Sequence, residues 1–223
     1  MIRENKTLNK VSIIQEYKDF ILKRKHPCVM AKTVFMMDKY QLQTYESRTD
    51  DSLNLLLNDL ENYLNAYDFE SNEFESFIAV FPNMPADSEI QFENELWKTL
   101  QRLHQLDDQE WDERVSSDPE NPNFSFSLKG RAFYVIGMHP NSSRIARQSP
   151  YPTFVFNLHW QFEKLREMGT YQKVKSMIRK RDKKLQGSIN PVLKDFGDDS
   201  ETKQYSGRNV EAEWKCPFHP KPN

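Results

Sequence analysis

The chain has 223 residues, and its 31 basic and 33 acidic side chains leave a formal net charge of −2, which gives no overall field to attract nucleic acid or an anionic membrane surface. No apolar run approaches the roughly 20 residues of a membrane span, the N-terminus lacks a secretory signal, and two cysteines do not imply a disulfide framework. We therefore expect a soluble, cytoplasmic protein whose core is rich in aromatic rings, since these make up 13% of the chain.

The N-terminal segment is predicted to form a helix followed by a strand. Apolar residues between Val11 and Ile21 recur with helical spacing. The helix should end before His26-Pro27, because proline disfavours helical geometry in the residue that precedes it. The run CVMAKTVFMM, residues 28–37, is short, apolar and β-branched, which favours a buried strand.

The next three predicted elements are a helix, a strand and a second helix. Leucines between residues 53 and 64 follow the i, i+3, i+4, i+7 spacing of an amphipathic helix. FIAVF, residues 77–81, is the second predicted strand. Ser88 and Gln91 form a capping box that should open another helix.

The C-terminal half begins with a polar segment, residues 107–123, which is predicted to be a loop. A hairpin should follow, with its turn at Lys129-Gly130. FNLHWQFEKLREMG is predicted to be a helix that Asn157 caps and Gly169 ends. A basic helix should then cover residues 170–184, and the tail beyond it is irregular. Together these elements predict one α+β domain over residues 1–223, with a mixed or antiparallel sheet flanked by helices.

Two histidines are the first candidate functional residues. His139 follows the predicted strand RAFYVIGM, and His159 lies in the aromatic segment FNLHWQF. A single histidine on a helix is more often a hydrogen-bonded structural residue than a ligand. A neutral imidazole in a ring-lined pocket is nevertheless what axial ligation of haem requires.

Arg144 and Arg147 lie three residues apart, directly after two serines. They would form a solvated helical turn or an anion clamp, since guanidinium groups bind carboxylate or phosphate with two parallel hydrogen bonds. The seven basic residues between 173 and 184 are interpreted as a solvated helix face, with docking of an acidic electron-transfer partner as the alternative.

The cysteines and the remaining motifs exclude several classes. No CxxC or CxxCH occurs, which argues against a thiol redox motif and covalently bound haem. Cys28 and Cys216 are interpreted as structural thiols, although a thiolate ligand to haem stays open for either. DFG at residues 195–197 lacks the other kinase motifs, so a kinase is rejected.

Six segments, taken in order, resemble the bacterial YqcI/YcgG family over roughly residues 20 to 220. They are HPC, GMHPNSSRIAR, YPTFVFNLHWQFEKLR, RDKKLQGSINPVLKDFG, SETKQYSGR and WKCPF. The family includes haem-dependent N-hydroxylases of guanidine-bearing amino acids, such as the pre-guanitoxin N-hydroxylase, and many members of unknown activity. The resemblance implies a non-covalent haem b, dioxygen, an unidentified electron donor, and transfer of one oxygen atom to the guanidine of arginine or an analogue.

The resemblance also places this chain's candidate site residues in the family's motifs. His159 is preferred as the iron ligand because a helical residue projects in a fixed direction, with His139 as the alternative ligand or as the distal group. Arg144, Arg147 and Arg208 are candidates to pair with haem propionates or a substrate carboxylate, and His139 and Arg144 are the catalytic candidates. The other cofactor-binding candidates are Asn157, Gln161, Tyr205 and Ser206.

Two other functions stay open at this point. One is a haem-binding or haem-sensing protein without turnover. The other is a haem-free protein that binds phosphate or nucleic acid through the Arg144–Arg147 loop and the basic helix. Neither nucleic acid nor a membrane is the favoured partner, and a homodimer is the assembly considered.

Overall fold

A computed structural model describes residues 9–190 and 195–221, so positions 191–194 of the RDKKLQGSINPVLKDFG segment lie outside it. Five strands form one mixed sheet in the order β1-β2-β5-β4-β3, in which β1 and β2 are parallel and the other neighbours antiparallel. The strands are β1 Tyr40–Thr44, β2 Ser76–Val80, β3 Phe126–Leu128, β4 Arg131–Met138 and β5 Thr153–Leu158. The α+β prediction is confirmed.

The described helices cover both faces of this sheet. They are α1 Lys10–Lys18, α2 Val29–Met36, α3 Asp50–Ala66, α4 Glu89–Leu106, α5 His159–Glu167, α6 Tyr171–Gln186 and α7 Thr202–Tyr205. A π-helical segment, Asp19–Lys23, continues α1, and a 3-10 turn covers Ile145–Arg147. No helix in the described ranges is both long enough and apolar enough to cross a membrane.

Alternation along the strands divides the core into two clusters. In β2, Phe77 and Ala79 pack with the leucines of α3 and α4, whereas Ile78 and Val80 pack with α1 and its π-helical continuation. Successive side chains of a strand point to opposite faces, so this split follows directly from strand geometry. We call the α3/α4 side the packed face and the other side the open face.

The strand predicted at residues 28–37 is wrong, because α2 occupies this segment. The Cys28 side chain caps the helix by accepting a hydrogen bond from the Ala31 N–H at 3.4 Å. Short apolar runs do not distinguish a strand from a helix. The strand lies instead at Tyr40–Thr44, where only Leu42 is fully buried because β1 is the edge of the sheet.

The predicted helices and strand between residues 50 and 106 are confirmed as α3, β2 and α4. The Ser88 hydroxyl accepts the Gln91 N–H at 3.2 Å, as a capping box requires. The return bond differs by one residue, because the Gln91 side chain accepts from the Asp87 N–H.

The predicted hairpin is confirmed as β3 and β4. Lys129 and Gly130 have φ values of 51° and 69°, and two consecutive left-handed residues are the mark of a type I′ turn. The preceding polar segment, residues 107–123, contains no helix or strand of the sheet in the described structure.

The cap predicted at Asn157 is wrong. Asn157 lies inside β5, opposite Tyr134, and its side-chain oxygen accepts a hydrogen bond from the Ser76 hydroxyl at 2.8 Å. Residues 153–158 are strand because they pair with β2 on one side and β4 on the other. Helix α5 therefore begins at His159, and Gly169, with φ 65°, follows its end as predicted.

Candidate functional site: a cavity between the sheet and α6

A cavity of about 330 Å³ lies on the open face of the sheet and opens to solvent. Its walls come mainly from the strands β2, β4 and β5 and from the helices α2 and α6. The apolar lining includes Ile78, Ile136, Val155, Met30, Ala31, Val34, Val174 and Ile178. This volume falls at the lower end of the roughly 300–1,000 Å³ typical of small-molecule sites.

Helix α6 forms the outer wall of the cavity. The lining residues Tyr171, Val174, Ile178 and Asp182 follow helical spacing and share one face, together with Lys175 and Arg179. From Tyr171 to Asp182 this face extends roughly 16 Å. The other basic residues of α6 are exposed, so the predicted solvated face is confirmed for them, but Lys175 and Arg179 line the cavity.

Arg144 lies at the end of the cavity near the C-terminus of α6. Its Nη2 is 2.5 Å from the Asp182 carboxylate, and Nη1 donates to the Ser188 hydroxyl at 3.0 Å. Both members of the pair are buried. The reading of this segment as a solvated turn is therefore wrong for Arg144, whose guanidinium is held inside the protein by a carboxylate.

Arg147 is buried beside Arg144 but bonds only to backbone. Its guanidinium donates to the carbonyl oxygens of Gly137 at 2.8 Å, Gln204 at 3.2 Å and Tyr205 at 3.4 Å. Burial lowers its pKa. The side chain lies against Gly207, where an added Cβ would be 3.3 Å from Arg147 Cγ. Arg147 thus joins the end of β4 to the C-terminal tail.

His159 lies at the opposite end of the cavity. Its Nε2 is 3.1 Å from the Glu163 carboxylate, and its ring and that of Phe196 pack in a T-shaped arrangement at a centroid distance of 4.4 Å. Burial lowers the pKa of His159, and the charge of Glu163 opposes that effect in part. The neutral imidazole, which is the form that binds iron, is favoured by burial. Nearby, Lys175 Nζ pairs with Asp195 at 2.5 Å.

His139 is on the packed face and does not line the cavity. Its ring is fully buried and stacks on Phe92 at a centroid distance of 4.4 Å. Within the described residues, neither ring nitrogen makes a hydrogen bond of normal geometry. Burial lowers the pKa of His139, against weaker effects of Glu89 and the Ala86 carbonyl. The two histidines lie on opposite faces of the sheet and do not face each other across one ligand.

The remaining predicted residues divide between the cavity and the tail. Asn157 and Gln161 line the cavity, and the Gln161 amide donates to the Glu75 carbonyl at 2.7 Å. Tyr205 and Ser206 are buried residues of the C-terminal tail and do not line the cavity. Arg208 forms ion pairs with Glu93 and Glu211 and so fixes the tail to α4.

The lining residues that the predicted site left out include three titratable groups, His26, Cys28 and Glu201. Burial lowers the pKa of His26 to about 4, and it raises the pKa of the Cys28 thiol. Burial also raises the pKa of Glu201 to about 8. The first two lie in the HPC segment and Glu201 lies in SETKQYSGR, but no role in the site was predicted for Glu201. The described residues contain no cluster of three or more His, Cys, Asp or Glu suited to a metal ion.

Comparisons with known proteins agree with the resemblance of the sequence. The model of the YqcI/YcgG family matches residues 17–219. The uncharacterized protein YcgG of Bacillus subtilis (strain 168) is 27% identical over 207 residues, which cover 86% of this chain and 80% of that protein. The uncharacterized protein YqcI of the same strain is 26% identical over 205 residues, covering 87% and 80%. No solved structure gives a significant match.

Proposed function

Because the chain belongs to the YqcI/YcgG family, we propose that it is a haem-dependent oxygenase that N-hydroxylates the guanidine of an amino acid such as arginine. The observation that carries the proposal is the cavity between the sheet and α6, which combines apolar walls, a buried imidazole and cationic side chains. Haem b is an apolar macrocycle with two carboxylates, so these residue types fit it. A ligand larger than the enclosed volume can extend through the opening to solvent.

His159 is the residue that we assign as the iron ligand. Its imidazole lines the cavity, and burial favours the neutral form. Cys28 also lines the cavity, but burial raises the pKa of its thiol and so disfavours the thiolate that iron ligation needs. The porphyrin itself supplies four iron ligands, so one protein side chain is enough to hold the metal.

Cationic residues of the cavity wall would bind the haem propionates, and both propionates would lie at one end of the cavity because they leave the same edge of the porphyrin. Arg144 stands at one end and Lys175 at the other, each paired with a carboxylate of this chain, Asp182 and Asp195. At the end where the propionates lie, they would share the cation through charge-assisted hydrogen bonds. The apolar walls of the cavity would exclude water from the macrocycle.

When bound, haem supplies the activation of dioxygen. One oxygen atom of dioxygen would be inserted into a guanidine N–H bond, and the other would be reduced to water. The reaction consumes two electrons and two protons. The proposed reaction requires an electron donor that supplies these two electrons to the haem. The role of the chain is to bind the substrate, exclude water and hold the acid groups near it.

The experiment is haem reconstitution followed by a turnover assay. We expect a Soret band in the purified protein, its loss in His159→Ala, and its retention in His139→Ala, because His139 lies on the packed face. Cys28→Ser is the matched variant on the cavity wall and should keep the band. With arginine, a reductant and oxygen, mass spectrometry should detect a product heavier by one oxygen atom.

Each outcome decides between the alternatives. Absence of a Soret band after reconstitution would reject haem as the cofactor. Haem binding without any hydroxylated product across several guanidine amino acids would instead identify a haem-binding protein without turnover. Loss of the band in Cys28→Ser alone would reassign the ligand to the thiolate.

A further inference from the structure

Glu201 is the carboxyl group of the cavity that the proposal above leaves without a role. It precedes α7, lines the cavity and is 3% exposed. The Ser125 hydroxyl donates to its Oε1 at 2.9 Å, and the Tyr205 hydroxyl donates to the same atom at 2.5 Å. Both donors reach Oε1, so in the described part of the chain Oε2 is the atom left for a ligand.

The other two carboxylates on the cavity wall are already neutralised. Asp182 pairs with Arg144, and Asp195 pairs with Lys175. Glu201 has no cationic partner within ion-pair distance among residues 9–190 and 195–221. Of the three carboxyl groups, Glu201 is therefore the one that lacks a cationic partner and that a cationic ligand could pair with.

The groups around Glu201 come from four parts of the fold. Tyr205 of α7 and Ser125, just before β3, donate to it, and Tyr134 of β4 lies nearby. The nearby positive charge is Arg166 of α5, which is committed to Glu163 and stacks on the Tyr171 ring.

Burial is the main cause that raises the pKa of Glu201 to about 8, against the opposing effects of Tyr205, Ser125 and Arg166. The Glu201 carboxyl group is therefore protonated at neutral pH as long as no cationic ligand is bound in the cavity. A cation placed beside it would favour the charged form, since an adjacent opposite charge lowers the pKa of a carboxyl group.

We propose that Glu201 binds the guanidinium group of the ligand through Oε2 and releases its proton to solvent as the ion pair forms. The step balances in protons: the neutral Glu201 carboxylic acid and the guanidinium form a carboxylate–guanidinium pair, and one proton passes to solvent. The hydrogen bonds from Ser125 and Tyr205 remain in place and stabilise the carboxylate. This inference rests on the proposed function for its choice of guanidinium.

The test is calorimetric titration of arginine into the haem-reconstituted full chain. Near pH 6.5, in two buffers of different ionisation enthalpy, we expect release of about one proton per arginine bound, falling towards zero above pH 8. Affinity should rise about tenfold per pH unit below the pKa of Glu201. Citrulline, the uncharged analogue, should bind without proton release.

Glu201→Gln is the decisive variant, because its amide oxygen can still accept both hydrogen bonds and so preserve the fold. It should abolish proton release and weaken arginine binding at pH 8 by roughly 30-fold or more. Asp199→Asn is the matched control: Asp199 lies on the same segment, pairs with Lys203 and does not line the cavity. It should leave both quantities unchanged.

A second variant tests the same carboxyl without removing it. Tyr205→Phe deletes one donor to Oε1, so the proton release should persist to higher pH than in the wild type. Proton release that is unchanged in Glu201→Gln, or arginine binding that releases no proton in the wild type, would overturn the inference.

The Soret band separates this result from the fate of the proposed function. Arginine binding with proton release by a protein that takes up no haem would reject the oxygenase and uphold Glu201 as the guanidinium site. Haem uptake and product formation, together with unchanged arginine binding and proton release in Glu201→Gln, would uphold the oxygenase and reject Glu201 as the guanidinium site.

Discussion

On the packed face, β4 and β5 present Phe133, Val135, Phe154 and Phe156, all fully buried against α3 and α4. On the open face, the same two strands present Tyr134, Ile136 and Val155, which line the cavity. Within each of the two strands, residues of the two faces alternate along an apolar run. An apolar strand therefore predicts that other elements cover both of its faces, but not that side chains fill the space on both sides.

The largest expected effect is loss of an aromatic ring from the packed face. Phe156→Ala should lower the free energy of unfolding by about 3–5 kcal/mol, since the surrounding side chains cannot close the space. Phe162→Ala is the control on the cavity wall, where the ring is half-buried and contacts Tyr134. It should cost clearly less. Urea denaturation measures both, and equal losses would contradict the division into packed and open faces.

A smaller loss is expected from adding one methyl group to the packed face. An added Cβ at Gly137 would lie 2.5 Å from Leu96 Cδ1 and 2.7 Å from the Tyr205 carbonyl oxygen. Gly137→Ala should therefore cost about 1–3 kcal/mol of stability by overpacking. Gly169→Ala meets nothing within 4 Å and isolates the cost of a left-handed backbone, here φ 65°. Unchanged stability in Gly137→Ala would contradict crowding by Leu96 and Tyr205.

The smallest effect at neutral pH is expected from His139→Phe, which replaces a buried imidazole stacked on Phe92 by a hydrocarbon ring. Burial lowers the pKa of His139, so the unfolded chain, with an ordinary value of about 6.5, binds more protons below that pH. The wild type therefore loses stability as pH falls from 6.5 towards the folded-state pKa, and the variant should lose less. Stability should still fall with decreasing pH in the variant, because burial also lowers the pKa values of His26 and His104 to about 4. Thermal unfolding between pH 5 and 7 measures the difference, and parallel curves would contradict it.

Local signals account for the elements that the sequence predicts correctly. The Lys129-Gly130 turn, the leucine spacing of α3 and the Ser88 cap depend only on neighbouring residues, and all three are confirmed. The segment at 28–37 and the cap at Asn157 fail for another reason. Their apolar spacing fits either a helix or a strand, and long-range strand pairing decides between the two.

The candidate site is predictable only in part. Arg144 and His159 are recognised from their motifs, and both line the cavity. The separation of His139 from His159 depends on the faces to which β4 and β5 direct successive residues, which the pairing of distant strands sets. Asp182 and Glu201 join the site from positions 38 and 57 residues after Arg144, in the segments RDKKLQGSINPVLKDFG and SETKQYSGR, and neither segment shows by itself that its carboxyl group reaches the cavity.

Arg147 gives the irregular tail a mechanical role. Its guanidinium holds carbonyl oxygens of Gln204 and Tyr205 together with that of Gly137 in β4, so the tail cannot detach without leaving a buried cation unsatisfied. We expect the tail and the central strands to open as one cooperative unit, with slow amide exchange in both. A segment with almost no regular secondary structure would thus be among the last parts of the molecule to unfold.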